Sequence, residues 1–395
     1  MKNKTLISII IGATSFSTTV FAATECGTGE ANCWGCGTNC VARLNEGNFS
    51  ISLVGDAKTA TMTDYEDYRN VPWISQKSSI TSITIDEGIQ NIGQETLSDT
   101  TSLTSITIPS SVTSIGRSAF YGATSLESVN FGPNSKLETI GQSAFNSNTA
   151  LTGIDIPDSV KSIGNAAFSR ATSLESVNFG DNSKLETIGQ EAFWGNTALT
   201  GIDIPDSVKS IGNGAFFGAT SLESVNFGPN SKLETIGNVA FYFTGLTDFS
   251  IPDSVTEIDV GAFAGTNIST LILPESLFSD EAVGISPYAV ISDNTTHLYC
   301  KEGNQKCREY QAVACNTVTL EALRCSHSGD PYRTDLTFGT YQKESDGRYV
   351  LDGVRYKSFA DMQKGQNGIA LKRIYTIEEA NAVAGKTNTV SIRYR

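Results

Sequence analysis

A phrase of about two dozen residues is repeated along the middle of this chain. Each copy contains a run such as Leu151-Thr-Gly-Ile-Asp-Ile156, followed by a second part similar to Ser-Ile-Gly-x-x-Ala-Phe. A fixed period of this size is typical of a solenoid, in which each unit buries its apolar edge against its neighbours. The isoleucines of the second part are spaced 23, 25, 23, 25, 23, 25 and 22 residues apart, at Ile92, Ile115, Ile140, Ile163, Ile188, Ile211, Ile236 and Ile258.

The apolar pattern within each repeat predicts a buried interior and a polar outer face. In the run 151–156 the apolar residues occupy places one, four and six, so Gly153 and Asp155 point outward. A proline follows every other run, where it ends a strand without loss of a ladder hydrogen bond. The spacing predicts nine repeat strands in one parallel ladder, at residues 80–85, 103–108, 126–131, 151–156, 174–179, 199–204, 222–227, 246–251 and 268–273.

The second part of each repeat is too short for more than one helical turn. Its phenylalanines recur once per repeat, and we expect them to stack as a spine inside the solenoid. These residues are Phe120, Phe145, Phe168, Phe193, Phe216, Phe241 and Phe263.

A longer period is superimposed on the short one. Residues 126–173 and 174–221 are almost the same 48-residue block, which indicates a tandem duplication and an array of adjustable length. Such an array suits a spacer or a multivalent surface. The two blocks differ only at Pro133/Asp181, Ser143/Glu191, Asn146/Trp194, Ser147/Gly195, Ala166/Gly214, Ser169/Phe217 and Arg170/Gly218.

The first 22 residues have the pattern of a secretory signal peptide. Lys2 and Lys4 precede an apolar segment, and Ala22 supplies a small residue at the cleavage position. This segment is too short to span a bilayer, and we expect no transmembrane segment elsewhere. The sequence therefore predicts an exported protein, either secreted or held at the cell surface.

Negative charge is concentrated in the repeats. Residues 80–273 contain 7 basic and 20 acidic residues, a difference of 7 − 20 = −13, and the whole chain has a formal net charge of −14. This charge argues against nucleic acid as a partner of the repeats.

All eight cysteines lie outside the repeats, and an even number in an exported chain predicts disulfides that staple the two ends of the solenoid. Cys33-Trp-Gly-Cys36 is a C-x-x-C element, for which a structural disulfide, a zinc site and a redox pair are alternatives. Its Gly- and Asn-rich surroundings favour the structural disulfide. The disulfide candidates are Cys26, Cys33, Cys36, Cys40, Cys300, Cys307, Cys315 and Cys325.

Changes in composition divide the chain into five segments. The N-terminal cap is expected to contain a hairpin around Glu46-Gly47 and a linker at 63–77, and the last segment a hairpin around Asp352-Gly353 and a helix at 376–384. The predicted segments are a signal peptide at 1–22, a Cys-rich segment and N-terminal β cap at 23–79, the solenoid at 80–275, a Cys-containing C-terminal cap at 276–330 and a small α+β module at 331–395.

The pattern Leu-x-x-Ile-x-Ile-Pro-x-Ser-Val-x-x-Ile-Gly-x-x-Ala-Phe, found at 103–120, 151–168 and 199–216, resembles the BspA-type leucine-rich repeat. Residues 40–92 are similar to the cap that precedes such repeats. The resemblance implies an α/β leucine-rich-repeat solenoid with a parallel-sheet horseshoe, on a bacterial surface or secreted protein linked to adhesion. It implies no catalytic residues. A cysteine often found after the phenylalanine is absent here, where Ala123, Asn148 and Ala171 stand instead.

Catalytic chemistry finds little support in the sequence. The two histidines, His297 and His327, lie in the predicted C-terminal cap, and no Gly-x-Ser-x-Gly motif accompanies them. We therefore expect no enzyme and no cofactor.

Outward-pointing side chains supply the candidates for partner binding. Successive aspartates of the polar row stand ~9.6 Å apart, too far to share a calcium ion unless asparagines complete the shell, so we predict no metal. Trp194 and Phe217 point toward the opposite side, where they either pack under loops or form a contact patch. The candidates are Asn130, Asp155, Asn178, Asp203, Asn226, Glu127, Glu175, Glu223, Trp194 and Phe217.

The leading hypothesis is a non-catalytic binding or adhesion protein, whose acidic solenoid contacts an extended protein of the host or of the bacterial surface. The alternative is a structural spacer that displays or anchors the C-terminal module.

Overall fold

The computed structural model describes Cys26, residues 30–278 and, beyond them, residues 284–285, 297–301, 306–307, 324–325, 336–343, 347–351, 354–356, 362 and 369–370. The predicted signal peptide and the predicted helix at 376–384 lie outside these residues. So do Cys315 and the side chain of Cys325, whose disulfides stay a prediction.

The chain forms a parallel β-solenoid of about eight turns, as its repeats predict. The phenylalanine spine is confirmed, since all seven rings are fully buried. Neighbouring ring centroids are 5.2 to 5.5 Å apart, and their planes lie within 8° of each other. The leucine, isoleucine and valine side chains of successive turns complete one continuous core around this spine.

One side of the solenoid is a nine-stranded parallel ladder that was not predicted. Each turn contributes the isoleucine of its second part and the residue before it, in register with the next turn. The rest of that part forms turns. The ladder strands are Asn91–Ile92, Ser114–Ile115, Thr139–Ile140, Ser162–Ile163, Thr187–Ile188, Ser210–Ile211, Thr235–Ile236, Glu257–Ile258 and Gly284–Ile285.

The other side, the strand face, carries eight of the nine predicted repeat strands, but they do not form one continuous ladder. Six of them form three separate parallel pairs: Ser105–Ile108 with Ser128–Phe131, Gly153–Ile156 with Ser176–Phe179, and Gly201–Ile204 with Ser224–Phe227. The remaining two, Ser82–Ile85 and Thr270–Ile272, pair with the N-terminal and C-terminal sheets. The prediction of a single ladder is therefore wrong.

The strand predicted at 246–251 is absent. Phe249 stands at an inward place that isoleucine or valine fills in other turns, and it packs 4.6 Å from Phe263 and 5.2 Å from Phe241 between ring centroids. The connection from Phe241 to Leu246 is also one residue shorter than that from Phe193 to Leu199. The bulky ring and the shorter connection together account for the loss of strand geometry here.

The N-terminal cap is a five-stranded sheet, in the order Thr61–Met62, Cys33–Thr38, Cys40–Asn45, Asn48–Leu53 and Ser82–Ile85. The predicted hairpin is confirmed, because Asn45 pairs with Asn48 around the turn at Glu46 and Gly47. The predicted linker at 63–77 instead contains the 3-10 helices Tyr68–Asn70 and Ile74–Ser79. Between them Trp73 is fully buried and donates from Nε1 to the carbonyl of Thr96 at 2.9 Å.

Three disulfides lie at the two ends of the array, as expected. They join Cys26 to Cys33, Cys36 to Cys40 and Cys300 to Cys307. The two cysteines of the C-x-x-C element are bonded to other cysteines and not to each other, so the element is not a dithiol pair of the redox type.

Beyond the last repeat a seven-stranded sheet continues from the solenoid. Its main order is Thr270–Ile272, His297–Lys301, Leu336–Lys343, Tyr349–Leu351, Val354–Tyr356 and Ile369–Ala370, with Arg324–Cys325 beside Leu336–Lys343. The hairpin predicted around Asp352-Gly353 is present. A 3-10 helix, Glu275–Phe278, follows the last repeat strand. The predicted boundary at 330/331 stays a prediction, although strands on both sides of it share this sheet.

Candidate functional site

The five polar residues of the predicted outward row are all exposed on the strand face, and we call them the strand-face row: Asn130, Asp155, Asn178, Asp203 and Asn226. Strand register places Asp155 beside Asn178 and Asp203 beside Asn226, whereas Asn130 lies beside Thr107. The structure therefore brings the row together as two Asp–Asn couples and one separate asparagine.

Hydrogen bonds join the two members of each couple. The side-chain amide of Asn178 donates to Asp155 Oδ1 at 2.8 Å, and that of Asn226 donates to Asp203 Oδ1 at 2.9 Å. Each amide binds one oxygen of the neighbouring carboxylate and so holds the whole carboxylate group in one orientation. The carboxylates are thus oriented before any partner arrives.

Two concave grooves open beside this row, where the strand ladder is interrupted between pairs. The first has a volume of about 750 Å³ and the second of about 400 Å³. They are related by the 48-residue period: apart from Asp181, each residue that lines the second groove stands 48 positions after a residue that lines the first, as Asp203 does after Asp155. Sequence reasoning missed both grooves, although the longer 25-residue intervals contain the loops that form one wall.

Partly buried phenylalanines and a proline supply the apolar part of each groove. Phe131 and Phe179 line the first, Phe179 and Phe227 line the second, and all three rings pack against the core. Pro157 and Pro205 stand at matching places in the two grooves. The grooves therefore combine an apolar floor with polar edges.

A second aspartate in each groove is fitted against a glycine of the next turn. A Cβ atom added to Gly180 or Gly228 would lie 1.9 Å from Asp158 Oδ1 or 2.1 Å from Asp206 Oδ1. Only glycine allows this close approach. The Oδ1 atom of Asp206 is buried and accepts no hydrogen bond from the described part of the chain.

The two grooves differ in charge. Asp155 and Asp158 line the first, whereas Asp203 and Asp206 line the second together with a third aspartate, Asp181. A lysine stands at the matching place beside each groove, because the backbone N–H groups of Lys184 and Lys232 donate to the carbonyls of Asp158 and Asp206, both at 3.0 Å. The second groove consequently carries the greater negative charge. Neither Asp158, Asp181 nor Asp206 was among the predicted candidates.

The predicted glutamates lie at the start of the strand pairs. Glu127, Glu175 and Glu223 are exposed, and their backbone N–H groups donate to the carbonyls of Thr104, Thr152 and Thr200 at 2.8, 2.8 and 2.9 Å. Their side chains add negative charge to the same face but line neither groove.

Trp194 and Phe217 lie on the opposite, turn-bearing side, where they form a stack with Tyr242. Ring centroids are 6.2 Å apart from Trp194 to Phe217 and 5.0 Å from Phe217 to Tyr242. The guanidinium of Arg170 lies 4.7 Å from the Trp194 ring centroid, in cation–π geometry. Because each ring face is covered by a neighbour, the stack presents mainly ring edges to solvent.

Within the described residues, no group of three or more His, Cys, Asp or Glu side chains is arranged to hold a metal ion. The grooves contain carboxylates and amides without a nucleophile and base in contact. His327 and the side chain of His297 lie outside what the structure describes. In the same described part, no helix is long and apolar enough to cross a membrane.

Solved structures similar to this chain include bacterial leucine-rich repeat proteins. One from Eubacterium ventriosum is 21% identical over 67% of this chain and 77% of that chain, with a TM-score of 0.41. One from Bacteroides ovatus is 22% identical over 66% and 70%, with a TM-score of 0.42. The pneumococcal vaccine antigen PcpA is 22% identical over 66% and 80%, with a TM-score of 0.36. No curated protein matches the chain.

A family model described as the BspA type leucine rich repeat region (6 copies) matches residues 75–196 and 181–283. These matches span the solenoid from the end of its N-terminal cap to its last turn. Since they cover more than half of the chain, the protein belongs to the BspA-type leucine-rich repeat family.

Proposed function

We propose that this protein is an exported, non-catalytic binding protein that adheres to another protein through the strand-face row and its two grooves. The observation that supports this best is the repetition of one groove, with the same couple of Asp and Asn, in successive 48-residue blocks. A surface built twice in the same form suits many weak contacts along an extended partner.

The chemistry of the grooves favours a protein partner. Their edges offer carboxylates and amides for hydrogen bonds, and their floors offer aromatic and proline surface. This mixture is typical of protein-recognition sites. Membership of a family of repeat surface proteins is consistent with such a role, and the three disulfides are consistent with an oxidising compartment outside the cytosol.

A pull-down at low salt tests the proposal. Residues 23–395 are immobilised and exposed to host matrix proteins and to bacterial surface extracts. We expect retained proteins to be lost from the double variant Asp155→Ala/Asp203→Ala and kept by Glu191→Gln/Glu234→Gln, which removes the same charge outside the grooves. Retention of nothing by the wild-type chain would count against the proposal.

A structural spacer is the second candidate, and one observation favours it. The seven-stranded sheet joins the last repeat strand to the C-terminal strands, and the hydroxyl of Tyr341 donates to the carbonyl of Leu273 at 3.2 Å. Tyr349 also donates to Asp253 Oδ2 at 3.1 Å. The C-terminal strands are thus joined to the end of the array by a shared sheet and by two side-chain hydrogen bonds. If it anchors the protein, removal of residues 331–395 should shift the chain from the cell-surface fraction to the medium.

A further inference from the structure

The two grooves repeat at a fixed distance along the solenoid axis. They are two turns apart, and adjacent spine rings are 5.2 to 5.5 Å apart. Two strand spacings correspond to ~9.6 Å, so equivalent points of the two grooves lie roughly 10 Å apart. A partner that enters both grooves must present equivalent side chains at this interval.

The charge of the grooves selects cationic side chains. Each groove carries an oriented aspartate, Asp155 or Asp203, and a second aspartate packed against a glycine, Asp158 or Asp206. The whole solenoid has an excess of acidic residues, so it attracts a basic partner over a distance as well as on contact. Lysine or arginine side chains are the complementary groups.

The interval then selects the backbone conformation of the partner. In a polyproline II helix, residues three apart lie on the same face about 9.3 Å from each other. In a β-strand, residues three apart point to opposite faces. In an α-helix, residues seven apart lie about 10.5 Å from each other, which is close to the distance between the grooves. However, the backbone N–H and C=O groups of a helix are bonded to one another. A helical partner would therefore offer no backbone group to the side-chain amides of the strand-face row.

We infer that the partner segment is a basic, proline-rich peptide in the polyproline II conformation, with lysine or arginine at every third residue, lying along both grooves. This inference rests on the proposed function and specifies its ligand. Proline rings between the cations would pack on Phe179 and on Pro157 or Pro205, and the unpaired backbone groups of the peptide would face the row asparagines.

The difference between the two blocks on this face supports a cationic ligand. Six of the seven differing positions lie in the turns around the spine phenylalanines, and only Pro133/Asp181 lies beside a groove. That single change adds a carboxylate to the second groove. We therefore expect the second groove to bind the cation more strongly, and Asp181→Pro to remove this advantage.

Fluorescence anisotropy with labelled 15-residue peptides tests the inference on residues 23–395. One peptide has arginine at every third place among prolines, a second has the same composition with the arginines adjacent, and a third is helical with arginines seven apart. We expect the first to bind about tenfold more tightly than the others. The variant Asp203→Asn/Asp206→Asn should weaken it about tenfold, and Glu191→Gln/Glu234→Gln less than about twofold.

Equal affinity for all three peptides, or an equal loss in both double variants, would overturn the inference, as would tightest binding of the helical peptide. Thermal melting of each variant separates lost binding from lost folding. If the wild-type chain retains proteins in the pull-down but ignores the peptides, the inference fails and the proposed function stands. If it also retains nothing in the pull-down, the proposed function fails with it.

Discussion

Asn178 donates a hydrogen bond of 2.8 Å from its side-chain amide to Asp155 Oδ1, its neighbour in the parallel strand register. The same relationship recurs 48 residues later between Asn226 and Asp203. Each couple stands at the edge of a groove, so the amide that stabilises the strand pair also orients a carboxylate of the candidate site.

Replacement of Asn178 by aspartate should convert this hydrogen bond into a repulsion. Two carboxylates would then face each other across the strand pair, and the free energy of unfolding should fall by about 0.5–1 kcal/mol near neutral pH. Urea denaturation at low and at high salt measures the effect. The difference from wild type should shrink at high salt, which screens the two exposed carboxylates from each other.

Asn130→Asp is the matched control, because Asn130 pairs with Thr107 and has no carboxylate opposite it. Its unfolding free energy should stay within about 0.5 kcal/mol of wild type at both salt concentrations. An equal loss in the two variants would show that added charge on this face, and not the Asp155 contact, causes the effect.

Loss of one spine ring should destabilise the whole array. Phe168 is fully buried between Phe145 and Phe193, at centroid distances of 5.3 and 5.5 Å. Phe168→Ala should lower the free energy of unfolding by about 3–5 kcal/mol, because neighbouring turns cannot collapse into the cavity. Chemical denaturation measures this loss.

Phe217→Ala removes the same side chain from the half-buried turn-face stack and provides the comparison. It should cost less than about 2 kcal/mol, since part of the ring is already in contact with water. A cost as large as that of Phe168→Ala would mean that the stack belongs to the core. Lost partner binding at an unchanged melting temperature would instead identify the stack as a contact patch.

Much of the fold could be predicted because its signals repeat. The spacing of Ile140 and Phe145 relative to their counterparts identifies one buried isoleucine and one buried phenylalanine per turn. The nine-stranded ladder could not be predicted in this way, because strands of two residues are too short to show an alternating pattern. The sequence places Trp73 in a linker for a different reason: its buried hydrogen bond is to the Thr96 carbonyl, 23 positions away, and a local pattern does not reveal such a contact.

The candidate site was only partly predictable. Alternation placed Asp155 and Asn178 on the outer face, but their hydrogen bond depends on strand register. The grooves depend on where the ladder is interrupted, and the extra residues of the 25-residue intervals were the only signal. Burial of Asp206 Oδ1 against Gly228 is a contact between turns that a linear pattern does not contain.

Two residues in each turn adopt a left-handed backbone conformation, and Val239 occupies the first of these two places in its turn, with φ of 48°. A β-branched residue is strained there, whereas glycine is not. Val239→Gly should therefore raise the free energy of unfolding by about 1 kcal/mol. Val260 is an exposed valine outside the left-handed region, so Val260→Gly should lower it by roughly 0.5–1 kcal/mol. Thermal and urea unfolding should show a gain in stability for Val239→Gly and a loss for Val260→Gly. A loss of stability in both variants would contradict the backbone strain at Val239.

Lys77 should make the stability of the N-terminal cap depend on pH. Its Nζ is buried and donates to the Glu95 carbonyl at 2.8 Å and to Ser98 Oγ at 2.7 Å, and burial lowers its pKa to about 8. Between this pKa and the ordinary value of 10.5 the unfolded chain binds more protons than the folded chain, so stability contributed by Lys77 rises with pH.

Measurement of unfolding free energy at pH 7.5 and 9.5 checks this dependence. Wild type should gain up to about 2 kcal/mol over this interval relative to Lys77→Met, in which the titrating group is absent. Lys232→Met removes an exposed lysine and should keep the wild-type slope. The same slope in Lys77→Met and wild type would show that Lys77 titrates normally in the folded chain.

Deletion of residues 174–221 should shorten the array by one block without loss of its fold. The deletion joins Ser173 to Leu222 and so recreates the natural Ser221–Leu222 junction, which preserves the strand register. Because a solenoid is stabilised by contacts between neighbouring turns, cooperative unfolding should persist with a modestly lower melting temperature.

One of the two grooves disappears in this deletion variant, so the affinity for an extended partner should fall about tenfold or more if both grooves bind it. Circular dichroism checks the fold and anisotropy the affinity. Unchanged affinity would favour the spacer, because a spacer loses length but no contact.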